Sequence, residues 1–150
     1  MISKVVLYGY GYVGRSVAKF LEGKCEVQIV DPALGYNGPG TGEFAIISVP
    51  TPPNTDGSCD TSIVDNIVTE LRHRHYLLKS TVSPGTTAKL QALQATLSGR
   101  AFEAISRSVT FSPEYLGEGH YHIPYWKGYP HPTDMALHDF FIFGGSYTEP

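Results

Sequence analysis

Lys4-Val5-Val6-Leu7-Tyr8-Gly9-Tyr10-Gly11-Tyr12-Val13-Gly14 decides the fold of this 150-residue chain. The contiguous apolar residues Val5, Val6 and Leu7 read as a short buried strand, and turn glycines follow at once. Val13, Val17, Phe20 and Leu21 then recur at helical spacing from Tyr12 to Glu22, with Gly23 where a helix stop is expected. GYGYVG therefore spans a strand-to-helix turn. In that setting the first glycine permits the tight turn, the second lets backbone approach a pyrophosphate, and the third lets helix and strand pack closely. Gly9, Gly11, Tyr12, Val13 and Gly14 are the candidate contacts. A second strand, Glu26 to Asp31, ends on a carboxylate 17 residues beyond Gly14, where it can accept hydrogen bonds from a ribose 2′-hydroxyl and repel a 2′-phosphate. The pattern points to NAD in preference to NADP. The plainer reading, glycines serving only a turn and Asp31 only a cap or surface role, stays beside it.

Outward from this unit, residues 32–42 carry four glycines and two prolines, so a loop spanning 32–43 stands where a helix is expected. Phe44 to Val49 is a third strand. Ile63, Val64, Ile67, Val68 and Leu71 mark an amphipathic helix with Asp60 or Thr61 as its N-cap. Tyr76 to Val82 reads as a strand. Ser83 and Pro84 then open a helix with Leu90, Leu93 and Leu97 on one face and Gly99 at its end. Ser108 to Ser112 and Phe140 to Phe143 are further strands, separated by a loop at 119–139 rich in Tyr, His and Pro. Alternating strands and helices call for a doubly wound, mostly parallel sheet: an α/β, Rossmann-like single domain over 1–150 with a reduced strand count. Ligands in such sheets lie beyond the carboxyl ends of the strands.

Eleven Lys+Arg against 14 Asp+Glu give a net charge of −3, which argues against nucleic acid or an anionic membrane as the partner. Two cysteines, Cys25 and Cys59, have neither CxxC nor metal-ligand spacing, so a reducing cytoplasm is the expected setting. No leader is visible, and no segment approaches the ~20 apolar residues of a membrane span. His120, His122, His131 and His138 show no metal-ligand spacing and read as solvated loop residues. No metal is expected. Tyr121, Tyr125, Trp126 and Tyr129 read as local packing or a partner surface.

Three further segments carry a resemblance: Val49-Pro50-Thr51-Pro52, Ser80-Thr81-Val82-Ser83-Pro84-Gly85-Thr86-Thr87, and Ser112-Pro113-Glu114-Tyr115-Leu116-Gly117-Glu118-Gly119. With GYGYVG and the closing Ile142-Phe143-Gly144-Gly145, they resemble the NAD-binding domain of the UDP-glucose and GDP-mannose 6-dehydrogenases. That family oxidises a nucleotide sugar's C6 alcohol to a carboxylate with two NAD, through a cysteine-bound intermediate. The resemblance implies that Thr51 lines the cofactor site and that Thr81 hydrogen-bonds near the nicotinamide or a catalytic water. It makes Glu118 a handler of that water, a catalytic role shared with Thr81. Glu114, Tyr115, Leu116, Gly117 and Glu118 would contact the nucleotide sugar. Read only as residues, Thr51 and Thr81 are equally turn or helix caps, and Glu114 and Glu118 an exposed pair.

The sequence departs from that family in the 32–43 loop, where helix and strand are missing, so the sheet should lose an edge strand and the adenine-side pocket its usual contacts. The family's connecting helix, catalytic lysine and asparagine, and nucleophilic cysteine motif have no counterpart before Pro150. Neither Cys25 nor Cys59 matches the cysteine motif. The expectation is a domain incomplete as a catalyst on its own, whether a truncated product, an excised domain or one half of an enzyme whose catalytic part is a second chain. A non-catalytic nucleotide-binding or interaction module is the alternative. A methyltransferase is disfavoured by the proline and threonine segments, which suit a pyrophosphate or nicotinamide.

Overall fold

A computed structural model describes residues 2–71, 73–98, 107–116, 135–137 and 141–145. Strands β1 (Lys4–Tyr8), β2 (Glu26–Val30), β3 (Phe44–Ile47), β4 (His75–Leu78) and β5 (Ser108–Phe111) form one sheet. Their order is β2-β1-β3-β4-β5, and every adjacent pair is parallel. Helices α1 (Tyr12–Leu21), α2 (Ser62–Glu70) and α3 (Thr86–Ser98) lie between strands, as parallel pairing requires crossovers. Val5 and Leu7 pack with Val17 of α1, Ile46 and Met135 on one face. Val6 and Tyr8 pack with Val64, Ile67 and Val68 of α2 and Leu90 of α3 on the other. The apolar run of β1 is continuous because its alternate side chains enter two separate cores. The fold is the Rossmann-like α/β class, with β2 at the edge. Among the described residues no helix is long and apolar enough to cross a membrane.

Several elements differ from the sequence reading. The strand at Phe140–Phe143 is not formed in its described part: 141–143 are irregular, and Gly144 alone makes an antiparallel bridge to Phe111. β4 stops at Leu78, because the amides of Lys79 and Ser80 both turn to the Ile47 carbonyl (2.8 and 3.1 Å). α3 begins at Thr86, after a Pro84-Gly85 turn in which Gly85 has φ +90°, so Pro84 precedes the first helical turn. Its buried face pairs Leu90 with Gln94, while Leu93 and Leu97 are half-buried. A polar residue wins there because backbone groups need partners. Gln94 donates to the Val68 carbonyl and accepts from Arg107, and Gln91 Oε1 accepts from the Val109 amide at 2.7 Å. The N-cap of α2 is Thr61, which makes no side-chain cap bond, and Asp60 before it accepts from the Ser62 amide through Oδ1 at 2.9 Å.

The loop between β2 and β3 does the work of a missing helix. Gly40 lies so close to the sheet that a Cβ there would stand 2.1 Å from Val6 Cγ1 and 2.6 Å from the Tyr8 hydroxyl. Bare backbone thus covers the apolar face, and its polar groups must be satisfied against the core. The Tyr8 hydroxyl, close under Gly40, donates to His73 Nε2 at 2.6 Å. His73 Nδ1 donates to the Gly42 carbonyl at 2.7 Å. A carbonyl can only accept, so Nδ1 carries a proton, and in the neutral tautomer Nε2 is the acceptor for Tyr8. Burial holds the His73 pKa below its usual range, against the pull of the Gly42 carbonyl and with a smaller push from Arg107. Burial, reinforced by Tyr76, lifts the Tyr8 hydroxyl to about 12.

Two outcomes follow for stability. Gly40→Ala should cost about 1–3 kcal/mol through overpacking, read as a lower urea midpoint. Because His73 has its pKa depressed in the folded state, the unfolded chain binds the extra proton more readily. Its contribution is complete above a pH of about 6.5 and is lost as the pH falls through the folded value. Urea titrations at about pH 8 and pH 5.5 should show this loss, and His73→Gln should flatten the slope; an unchanged slope would remove His73 as its source.

Candidate functional site

The strand order reverses direction at β1, leaving a switch point between β1 and β3 where ligands of open α/β sheets bind. Gly9 closes β1 there with φ +87°, and a Cβ on it would meet the Ser48 carbonyl oxygen at 2.5 Å. A Cβ on Gly14 would meet the Gly9 carbonyl oxygen at 2.1 Å. These two positions are glycine because the protein packs against itself. Gly11 is different: a Cβ there meets nothing within 4 Å. It is the N-cap residue of α1, and no side chain caps the helix from it. Open space therefore adjoins the positive end of a helix, the arrangement that receives a pyrophosphate.

Hydrogen bonds hold this turn from both sides. The Gly9 amide donates to the Val30 carbonyl at 3.0 Å, and Ser48 Oγ donates to the Gly9 carbonyl at 3.0 Å. Asp31 Oδ2 accepts from the Tyr10 amide at 2.7 Å. The Asp31 carboxylate thus shapes the glycine turn with one oxygen.

The lacing continues along the carboxyl edge. Ser80 Oγ donates to the Val49 carbonyl at 2.8 Å, and Thr51 Oγ1 donates to the Thr81 carbonyl at 2.6 Å, joining the segments after β3 and β4. Lys79 Nζ meets Glu114 Oε2 at 2.9 Å, with side chains only 4% and 12% exposed, joining those after β4 and β5. Glu114 Oε1 accepts from the amides of Tyr115 and Leu116 at 2.9 and 3.2 Å, folding its own segment into a turn. Two open clefts lie among the described residues. One of about 420 Å³ lies beside α1 and β2, touching Tyr10, Arg15 and Cys25; another of about 400 Å³ adjoins Val82, Pro84, Gly85 and Phe111. The glycine turn, whose geometry suits an anion, carries more chemical information than either.

A sequence model of the NAD-binding domain of the UDP-glucose/GDP-mannose dehydrogenase family matches residues 36–125, more than half of the chain. The chain belongs to this family. YtcA of Bacillus subtilis (strain 168), named as a UDP-glucose 6-dehydrogenase, is 34% identical over 80 residues, 49% of this chain and 18% of that protein. The fold is shared with GDP-mannose dehydrogenase from Pseudomonas aeruginosa, solved as a ternary complex (TM-score 0.54, 21% identity, 75% of this chain and 36% of that one). It is shared as well with NDP-N-acetyl-D-galactosaminuronic acid dehydrogenase from Methanosarcina mazei Go1 (TM-score 0.55, 18% identity, 77% and 35%). The chain spans well under half the length of each of these relatives.

NAD is the cofactor of this nucleotide-sugar dehydrogenase domain, and the residues present fit it: the space at Gly11 and the Asp31 carboxylate stand on one turn. The structure gathers Gly9, Gly11, Tyr12, Val13, Gly14 and Asp31 at that turn, and it joins Thr51 to Thr81. Glu114 faces Lys79 instead of solvent, Tyr115 is exposed and Leu116 half-buried. Gly117 and Glu118 lie outside the described residues, as do the histidines and aromatics of 120–131. Sequence reasoning missed Ser48, whose signal is only a small polar residue at a strand end. It also missed Lys79, a lone charge after the apolar Leu77 and Leu78.

Lys79→Met should strand the Glu114 carboxylate and cost about 3–5 kcal/mol in a urea titration. Adding Glu114→Gln should recover part of that loss; a single variant as stable as wild type would deny the pair any structural weight.

Proposed function

We propose that this chain forms the cofactor half of a nucleotide-sugar 6-dehydrogenase active site, which oxidises a sugar C6 alcohol to a carboxylate, of the UDP-glucose 6-dehydrogenase kind. The observation that carries the reading is the open space at Gly11 between the start of α1 and Asp31, at the switch point of the sheet. In this reading the first-turn amides of α1, including those of Tyr12 and Val13, hold the pyrophosphate. Asp31 keeps Oδ2 on the Tyr10 amide and offers Oδ1 to the ribose hydroxyls. Bound there, NAD supplies the hydride acceptor for the C6 carbon.

Thr51 and Thr81 border the nicotinamide end, with Thr51 spending its proton on the Thr81 carbonyl and so orienting that segment. The Glu114-to-Leu116 turn presents backbone to the nucleotide sugar, while Lys79 keeps the Glu114 carboxylate turned inward. Gly117 and Glu118 continue that segment, and Glu118 handles the water. Cys25 precedes β2, at the edge opposite the cofactor, and Cys59 is bridged to Pro53 in a loop. The nucleophilic thiol therefore comes from another polypeptide or chain segment, and a monomeric binding domain meets its sugar substrate only in that company. The reading places the protein in the cytoplasm, as a single domain over 1–150.

Calorimetric titration with NAD and NADP tests this. Wild type should bind NAD more tightly than NADP. Asp31→Asn, which keeps an acceptor for the Tyr10 amide but removes the charge, should weaken NAD roughly 10- to 100-fold, the loss of a charged hydrogen bond, and narrow the gap to NADP. An absence of NAD binding at millimolar concentration, or an Asp31→Asn variant that binds both as before, would sink the proposal. Binding of NAD without any partner that restores turnover would favour a non-catalytic module.

A further inference from the structure

Resting on the cofactor reading above, we infer that Tyr36 is the platform on which the adenine base of the dinucleotide stacks, supplied by the short loop in place of a larger structural unit. The ribose end of the site is marked by Asp31, and Tyr36 is tied to that residue. The Asp31 amide donates to the Tyr36 carbonyl at 2.9 Å and the Tyr36 amide donates to the Asp31 carbonyl at 3.0 Å. The intervening Pro32–Leu34 forms one tight 3₁₀ turn closed by Gly35 at φ +83°. Two backbone bonds, a proline and a left-handed glycine fix the position of this residue independently of its side chain.

The side chain then has little structural reason to be aromatic. Tyr36 keeps 43% of its surface exposed, and Leu34 beside it keeps 49%. Its ring meets that of Tyr10 edge-on, with centroids 5.5 Å apart and planes at 74°, a contact that sets the ring's place without stacking a second ring over it. Tyr10 is itself held. Its amide is bound by Asp31, its carbonyl accepts from Arg15 Nε at 3.2 Å, and the Arg15 guanidinium lies 5.7 Å from its ring centroid. An exposed aromatic face, rigidly carried next to a ribose-binding carboxylate and a pyrophosphate turn, matches a flat base attached to that same ribose. Stacking recognises the base by its π-face and is indifferent to the far end of the cofactor.

The test titrates the full chain with ADP-ribose, which carries the adenosine and pyrophosphate without the nicotinamide. Tyr36→Ala should weaken ADP-ribose and NAD from roughly 5-fold to more than 100-fold, the range found when an aromatic is removed from under a stacked base. Tyr36→Phe should retain wild-type affinity, since it keeps the ring and loses only the hydroxyl. Tyr36→Trp should bind ADP-ribose with a fluorescence quench beyond that of the single native tryptophan, Trp126, recorded in the wild-type chain. Unchanged or tighter binding by Tyr36→Ala, or binding by Tyr36→Trp with no added quench, overturns the platform while leaving the cofactor site intact. Failure of the wild-type chain to bind ADP-ribose or NAD overturns the cofactor reading and the platform with it.

Discussion

The contact on which the rest depends is the approach of Gly9 to the backbone of Ser48, with Gly14 packed in turn on Gly9. It sets the start of α1 directly over the end of β1 and fixes the distance between β1 and β3 at the point where the strand order reverses. No side chain is compatible with either glycine position, so this geometry is written into the chain by subtraction. The contact leaves open the space at Gly11, at the start of α1.

The second constraint is economy of cover. A sheet face needs something apolar or satisfied above it, and here a glycine-rich loop replaces a helix on the Val6 and Tyr8 face. Backbone makes a thin cover, which explains why Gly40 must lack a side chain and why a buried Tyr8–His73–Gly42 chain of hydrogen bonds accompanies it. A helix would have satisfied its own amides; the loop borrows a histidine from the segment before β4 to do so. The same short loop holds Tyr36 beside Asp31 through two backbone hydrogen bonds.

Polar side chains along the carboxyl edge divide their duties. Asp31, Ser48, Thr51, Ser80 and the Lys79–Glu114 pair each tie one post-strand segment to its neighbour. A residue held by the scaffold has few rotamers left to lose when a ligand arrives, so the lacing that stiffens the edge also prepares it for binding.

The strand-turn-helix unit, the second-strand carboxylate, the α/β class and the lost edge strand were all legible in the sequence. Each is a local signal, carried by hydrophobic period, glycine spacing or the length of a connection. The sequence was less informative on α3, where leucine spacing pointed to Leu93 and Leu97 while the structure buried Gln94. It also overextended Phe140–Phe143: in the described part, 141–143, no strand forms, and Gly144 makes a single bridge to Phe111 on the free edge of β5. The partnership of Lys79 with Glu114, the pinning of the loop by His73 and the placement of Tyr36 against Tyr10 were decided by tertiary structure alone. They join residues 35, 31 and 26 positions apart. Their energies come from burial and contact geometry, which no local pattern along the chain encodes.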